Sequence, residues 1–256
     1  VGPQGTVYVA WLEERKKAHP VAINKGQQKH KHVEENRDLF VAFSKNSGKT
    51  FSSKTPVASD VCPCCKTSLA VAPDGRVYVS WRQVLPGNLR HIAVASFADH
   101  ELTVSTRVIV SDDRWVLAGC PVSGSSLSVS NDGALQVLWY ADGQTGPTGV
   151  YRSESRDGGR SFSPRQLIAE GMTQGTPILL SQAGSAKAIW QRDQGTEAKV
   201  VTASIDSKGI VTGSSSEENN SQLPAAAMIG DQLVIVSIRQ AANDRRSIWL
   251  IRRPAG

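Results

Sequence analysis

The stretch Cys62-Pro-Cys-Cys-Lys-Thr-Ser-Leu-Ala-Val-Ala-Pro-Asp-Gly-Arg-Val-Tyr-Val-Ser-Trp81 aligns without a gap onto Cys120-Pro-Val-Ser-Gly-Ser-Ser-Leu-Ser-Val-Ser-Asn-Asp-Gly-Ala-Leu-Gln-Val-Leu-Trp139. The offset is 58 residues and holds for Cys, Pro, Leu, Val, Asp-Gly and Trp alike. In each copy two alternating apolar runs flank an Asp-Gly pair, the composition of a β-hairpin with its turn residues in place. A repeat of this kind governs the reading of the whole chain, because each unit is too small to bury its own faces.

Fainter copies end at Trp11 (Gly5-Thr-Val-Tyr-Val-Ala-Trp11), at Trp190 (from Thr176) and at Ile238 (from Pro224), which makes five units. After each hairpin comes a polar loop and then a third strand, at Leu39 to Ser44, Ile92 to Phe97, Val150 to Ser155, Val200 to Ile205 and Ile248 to Ile251. A weaker fourth strand follows in the first four units. Four antiparallel strands recurring every 45 to 70 residues, roughly, is the arithmetic of an all-β propeller of four-stranded blades. Five blades are visible, in one domain over residues 1–256. Unit one lacks its first strand and unit five its fourth; a removed N-terminal segment is expected to supply these, or a sixth blade.

Composition narrows the class of function. The 256 residues include 22 glycines and 12 prolines and have no apolar run long enough to span a membrane. The net charge of +6 comes from basic residues scattered among acidic ones, except at Lys25 to His32 and Arg245 to Arg253. No nucleic-acid or nucleotide signature accompanies either cluster, so neither partner is expected. The chain opens on turn and strand residues with no start methionine or signal peptide. A monomer exported to the periplasm or the extracellular space is the expectation.

A more specific signature follows the third strand. Ser155-Arg-Asp-Gly-Gly-Arg-Ser-Phe162 matches the Asp-box pattern Ser-x-Asp-x-Gly-x-x-aromatic, and Ser44-Lys-Asn-Ser-Gly-Lys-Thr-Phe51 matches it with Asn46 for the aspartate. Through Ser44, Asn46, Gly48, Phe51, Ser155, Asp157, Gly159 and Phe162 the chain resembles the sialidase-like Asp-box (BNR-repeat) propellers over essentially its whole length. The resemblance implies structural turns, in which hydroxyl and carboxylate satisfy backbone donors and the aromatic packs between strands. It also implies an exo-sialidase, for which the family would use an Arg-Ile-Pro motif, three carboxylate-gripping arginines, a Tyr-Glu nucleophile pair and an acid Asp. No Arg-Ile-Pro is present. Tyr8, Tyr78, Tyr140 and Tyr151 lie at alternating strand positions and read as packed aromatics. Arg82, Arg192 and Arg239 each follow a second strand and either point together at one face or are solvated loop residues. The family fold does not carry the activity with it.

The cysteines obtain an address from the same topology. Cys62, Cys64 and Cys65 lie in the connection entering the second blade, and Cys120 holds the equivalent place entering the third. Such connections share one face of a propeller with the loops between second and third strands. The four sulfurs are therefore expected near the mouth of the central channel. His30 and His32, in the long loop between Glu13 and Asp38, and Met172, entering the fourth blade, are expected at the same rim.

Thiolate, imidazole and thioether suit Cu(I), and without the thioether Zn(II), so a thiophilic ion is expected, copper first and zinc second. On a strand, neighbouring side chains diverge, and a single tetrahedral ion should not collect all three sulfurs of Cys-Pro-Cys-Cys. The competing reading is a disulfide between Cys62 and Cys120, stapling adjacent blades and leaving Cys64 and Cys65 to share metal duty, or one of these two bonded to Cys120 instead. Cys62 to Cys65 followed by Lys66 also spells a rare covalent-haem variant, against which the extra Cys64 and the strand context argue. A thioredoxin-like motif needs a helix N-terminus that this segment lacks. The expectation is a sialidase-like propeller that binds a metal on its top face; the alternative is a glycosidase or a glycan- or protein-binding propeller with a purely structural disulfide.

Overall fold

The computed structural model describes residues 1–2, 5–14, 35–98, 103–182, 185–194, 197–206, 208–241 and 245–254. Within them the chain is a succession of antiparallel sheets with no α-helix, interrupted by a 3₁₀ turn at Pro86–Asn88. Each sheet forms where the sequence alternates, since successive side chains of a strand point to opposite faces.

The first sheet comprises β1 (Val7–Glu14), β2 (Arg37–Ser44) and β3 (Thr55–Val61). The second comprises β4 (Ser68–Val71), β5 (Val77–Leu85), β6 (Leu89–Phe97) and two short segments pairing with β6, β7 (Val108–Ile109) and β8 (Trp115–Val116). One residue pair, Val61 opposite Gln83, ties these two sheets together. The third sheet holds β9 (Ser125–Val129), β10 (Leu135–Ala141), β11 (Gly149–Ser155) and β12 (Gln166–Glu170). The fourth holds β13 (Thr173–Gln182), β14 (Ser185–Gln194), β15 (Glu197–Asp206) and β16 (Val211–Asn219). The fifth holds β17 (Ser221–Ile229), β18 (Gln232–Gln240) and β19 (Arg246–Pro254).

The strands follow the order of the sequence repeats; through the single pair Val61 and Gln83, β1 to β8 form one eight-stranded sheet, and sheets of four, four and three strands follow. Four apolar clusters fill the spaces between consecutive sheets. Leu39 and Val41 meet Val79, Trp81 and Phe97 between the first and second; Tyr78, Ile92 and Val94 meet Leu135, Val137 and Trp139 between the second and third. Leu138 and Val150 meet Leu179 and Trp190 next, and Ile189 and Val200 meet Leu233 and Ile235 last. Tyr78 thus faces one neighbour while Val77 and Val79 face the other, which is why each middle strand is apolar on both sides. Fully burying one such side chain contributes about 1.5–3 kcal/mol.

The first strand of each unit lies against the next, and serines stitch them. Ser68 Oγ accepts the Leu127 N–H at 3.0 Å, Ser126 Oγ accepts Leu179 N–H at 3.0 Å, and Ser128 Oγ accepts Ser181 N–H at 2.9 Å. The architecture is propeller-like: sheets packed face to face in chain order, with their first strands adjacent.

Two loops close third strands in the same way. Ser155 Oγ donates to Asp157 Oδ1 at 2.7 Å and accepts the Gly159 N–H at 2.9 Å, while Asp157 Oδ1 accepts the Arg160 and Ser161 N–H groups at 3.0 Å each. Ser44 and Asn46 repeat the pattern, with Gly48 N–H on Ser44 Oγ at 2.9 Å and Thr50 N–H on Asn46 Oδ1 at 2.9 Å. Gly48 and Gly159 hold φ of 84° and 82°, the left-handed region that a side chain would strain. Phe162 packs against the apolar cluster between the second and third sheets. Phe51 departs from the expectation: it is 44% exposed.

Candidate thiolate site

Val61 ends β3, and the Cys62 N–H donates to the Arg82 carbonyl at 2.9 Å. The chain then leaves the strand. Cys65 N–H donates back to Cys62 O at 3.4 Å, so Cys62 to Cys65 form a turn. This corrects the expectation that the three sulfurs diverge: strand alternation does not apply within a turn, and their side chains converge. Cys62 Sγ lies 2.6 Å from Cys65 Sγ, 3.9 Å from Cys64 Sγ and 3.8 Å from Cys120 Sγ. All four sulfurs fall within 4.8 Å of one another, with Cys62 and Cys65 buried.

Of the pairings open to Cys120, the structure brings it against Cys64 and not Cys62. Cys120 meets Cys64, sulfur to sulfur in bonding contact, with their Cα atoms 6.3 Å apart, and Cys62 faces Cys65. The reason is the same turn, which swings Cys64 outward over the incoming connection and Cys62 inward. That connection comes close because Gly124 lies flat against the Lys66 backbone: a Cβ there would collide with the Lys66 carbonyl. A shallow pocket of about 340 Å³ opens beside Cys64, Cys65 and Leu12.

Two buried arginines brace the connection that carries Cys120. Arg82, 0% exposed, donates from Nε to Ser123 O at 2.7 Å and from Nη2 to Tyr140 O at 2.8 Å, and its guanidinium lies 4.8 Å over the Trp115 ring. Arg90, 6% exposed, donates from Nη2 to Gly119 O at 2.9 Å and to Leu117 O at 3.3 Å. The two side chains therefore grip residues on both sides of Cys120. Sequence reasoning singled out Arg82 for another role and passed over Arg90, which precedes the third strand expected from Ile92 and reads there as a polar loop residue.

The cluster has a polarised pair. A hydrogen bond from the Cys65 thiol, aided by the charges of Arg90 and Arg82 and opposed by burial, lowers the Cys62 pKa to about 7. The same bond, with burial, pushes the Cys65 thiol up. Burial acts against the Arg82 charge, and Cys65, Cys62 and Asp113 act in its favour.

The remaining candidates are placed as follows. His30 and His32 lie outside the described residues. Met172 is 59% exposed and accepts the Tyr140 hydroxyl at Sδ, 3.4 Å away. Outside those candidates, His91 of β6 is buried with Nδ1 2.9 Å from Ser111 O. Arg82, Arg192 and Arg239 lie inside β5, β14 and β18 instead of after them, because these strands run further than the apolar pattern indicates. They do not form one carboxylate grip: Arg82 spends its donors on carbonyls, Arg192 pairs with Glu217, and Arg239 pairs with Glu218 at 3.1 Å while stacking on Trp249. Tyr78, Tyr140 and Tyr151 are buried, as packed aromatics should be.

No family model matches the chain, and no curated protein does. Solved structures share its fold. A Hadza microbial sialidase superposes with a TM-score of 0.61 at 12% identity, over 98% of this chain and 54% of its own. Hydrazine synthase of Kuenenia stuttgartiensis does so with a TM-score of 0.58 at 12% identity, over 86% and 60%. A polysaccharide lyase acting as an ulvan lyase gives 0.58 at 12%, over 99% and 63%. The chain thus spans less than two thirds of the length of these three proteins, and the likeness is one of fold.

Proposed function

We propose that this protein is a binding protein of the sialidase-like, Asp-box propeller type, a single domain over residues 1–256 whose cysteine cluster takes a thiophilic metal ion. The observation that carries the reading is the convergence of all four cysteine sulfurs within 4.8 Å, from two connections far apart in sequence. Four thiolates suit the closed-shell soft ions, Cu(I) first and Zn(II) second. A tetrahedral thiolate site with metal–sulfur bonds of about 2.3 Å has sulfur–sulfur edges of about 3.8 Å. The Cys62–Cys64 and Cys62–Cys120 distances, 3.9 and 3.8 Å, match that edge. Seating an ion would open the two closer pairs.

A second reading is favoured by the bonding contact of Cys64 and Cys120, a disulfide joining the connections into the second and third sheets. The two readings separate on one experiment: protein purified without chelator or reductant, with metal and thiols counted before and after reduction. Bound copper or zinc, released together with the appearance of four alkylatable thiols, supports the metal reading. Protein whose sulfurs are all disulfide-bonded, and which takes up neither ion after reduction, overturns it. Release of a fluorogenic sialoside at ordinary enzyme concentrations would instead favour the activity named for one of its structural neighbours.

A further inference from the structure

Burying an ionised group without a counter-charge costs several kcal/mol, so a native fold that does so repeatedly has a partner for the charge. Arg82 and Arg90 are both buried, and among the described residues neither forms an ion pair with a carboxylate. The nearby Asp113 is engaged by Arg165 and by the Trp139 indole. On each guanidinium Nη1 is buried and makes no hydrogen bond. Every acceptor that Arg82 and Arg90 do reach is a neutral backbone carbonyl, at Leu117, Gly119, Ser123 and Tyr140. Among the described residues, the other groups at this spot able to carry negative charge are the four clustered cysteines, of which Cys120 lies between the carbonyls of Gly119 and Ser123. Two neutral disulfides would leave Arg82 with only the field of Asp113, which Arg165 already shares, and Arg90 with no ion pair among the described residues.

We infer that Arg82 and Arg90 are the outer sphere of the cysteine site and select a metal–thiolate complex with two net negative charges. This rests on the metal reading proposed above. Four thiolates around one divalent ion carry that charge, and so do four thiolates around two Cu(I) ions; one Cu(I) on two thiolates does not. The arginines act through the cysteines: they position Cys120 by holding residues 117, 119 and 123, and their charge offsets the thiolates in a dry site.

The test uses the reduced protein under anaerobic conditions, with Co(II) alone as the probe of tetrahedral thiolate coordination and Cu(I) as a second probe. The wild type should take one Co(II) per chain with sulfur-to-cobalt charge-transfer absorption, or two Cu(I) per chain with no thiol left for iodoacetamide. Arg90→Met should lose 10–100-fold in Co(II) affinity, as outer-sphere changes do, while reaching the same absorption at saturation. Arg90→Lys should recover most of the loss. Arg82→Lys should retain binding; should Arg82→Met fail to fold, the Arg90 pair carries the test.

Wild-type affinity in Arg90→Met, equal weakness of the lysine and methionine variants, or saturation at one Cu(I) with two alkylatable thiols would each overturn the inference. No uptake of either ion by the reduced wild type would instead overturn the metal reading on which it rests.

Discussion

Cys62 and Cys120 occupy the same position in successive repeat units, and their sulfurs stand 3.8 Å apart. Repeat geometry explains the meeting: each connection enters its sheet at the same end, so equivalent residues of neighbouring units arrive side by side. Cys64 and Cys65 are additions to that shared element, and the turn at Cys62 to Cys65 folds them onto the pair. Replacing Cys64 or Cys65 with serine should lower ion affinity by at least about 100-fold in competition with a chelator. The stability of the reduced, metal-free protein should move little with Cys64→Ser. A loss of about 2–4 kcal/mol on that substitution in oxidised protein would mark the Cys64–Cys120 disulfide as the working state.

Gly124 should be as restrictive for the site as the cysteines. A methyl group there meets the Lys66 backbone, and Lys66 follows Cys65 directly. Gly124→Ala is expected to push the Cys120 connection away from the turn, weakening ion uptake more than 10-fold and lowering stability by about 1–3 kcal/mol, as overpacking does. Chelator competition and urea unfolding on one preparation measure both.

Asp113 is fully buried and accepts the Trp139 indole N–H at 2.8 Å as well as Arg165. Asp113→Ala strands a nearly buried guanidinium and a buried indole donor. The expected cost is about 3–5 kcal/mol by urea unfolding, and Asp113→Asn, which can still accept the indole, should lose less.

Acid stability should depend on the turn after β11. Hydrogen bonds from the Ser161 and Ser155 hydroxyls and from the Ser161 and Arg160 N–H groups hold the Asp157 carboxyl below its ordinary range. A depressed carboxyl favours the folded state above its unfolded pKa of about 3.9, and that advantage is lost as pH falls towards its folded value. The urea midpoints of wild type and Asp157→Asn should therefore differ by a constant amount from about pH 7 to 5 and converge below about pH 4. The matching turn carries Asn46 and should show no such dependence unless Asn46→Asp is introduced.

The presence and order of the strands were legible because alternation and turn chemistry are local: Val77 to Trp81 announces its hairpin whatever lies around it, although β5 runs on past that apolar pattern to Leu85. The repeat offset by itself likewise placed Cys120 beside Cys62. The turn at Cys62 to Cys65 was not legible, because the alternating run after it made the segment look extended. Arg90 was invisible for a related reason. A cation beside His91, ahead of the apolar run from Ile92, reads as a loop residue until packing buries it against the carbonyls of Leu117 and Gly119. Periodicity records which way each side chain leaves its own strand. The approach of two connections, and the charge that their burial leaves to be offset, depend on residues 58 positions apart meeting in a dry space that no single segment encodes.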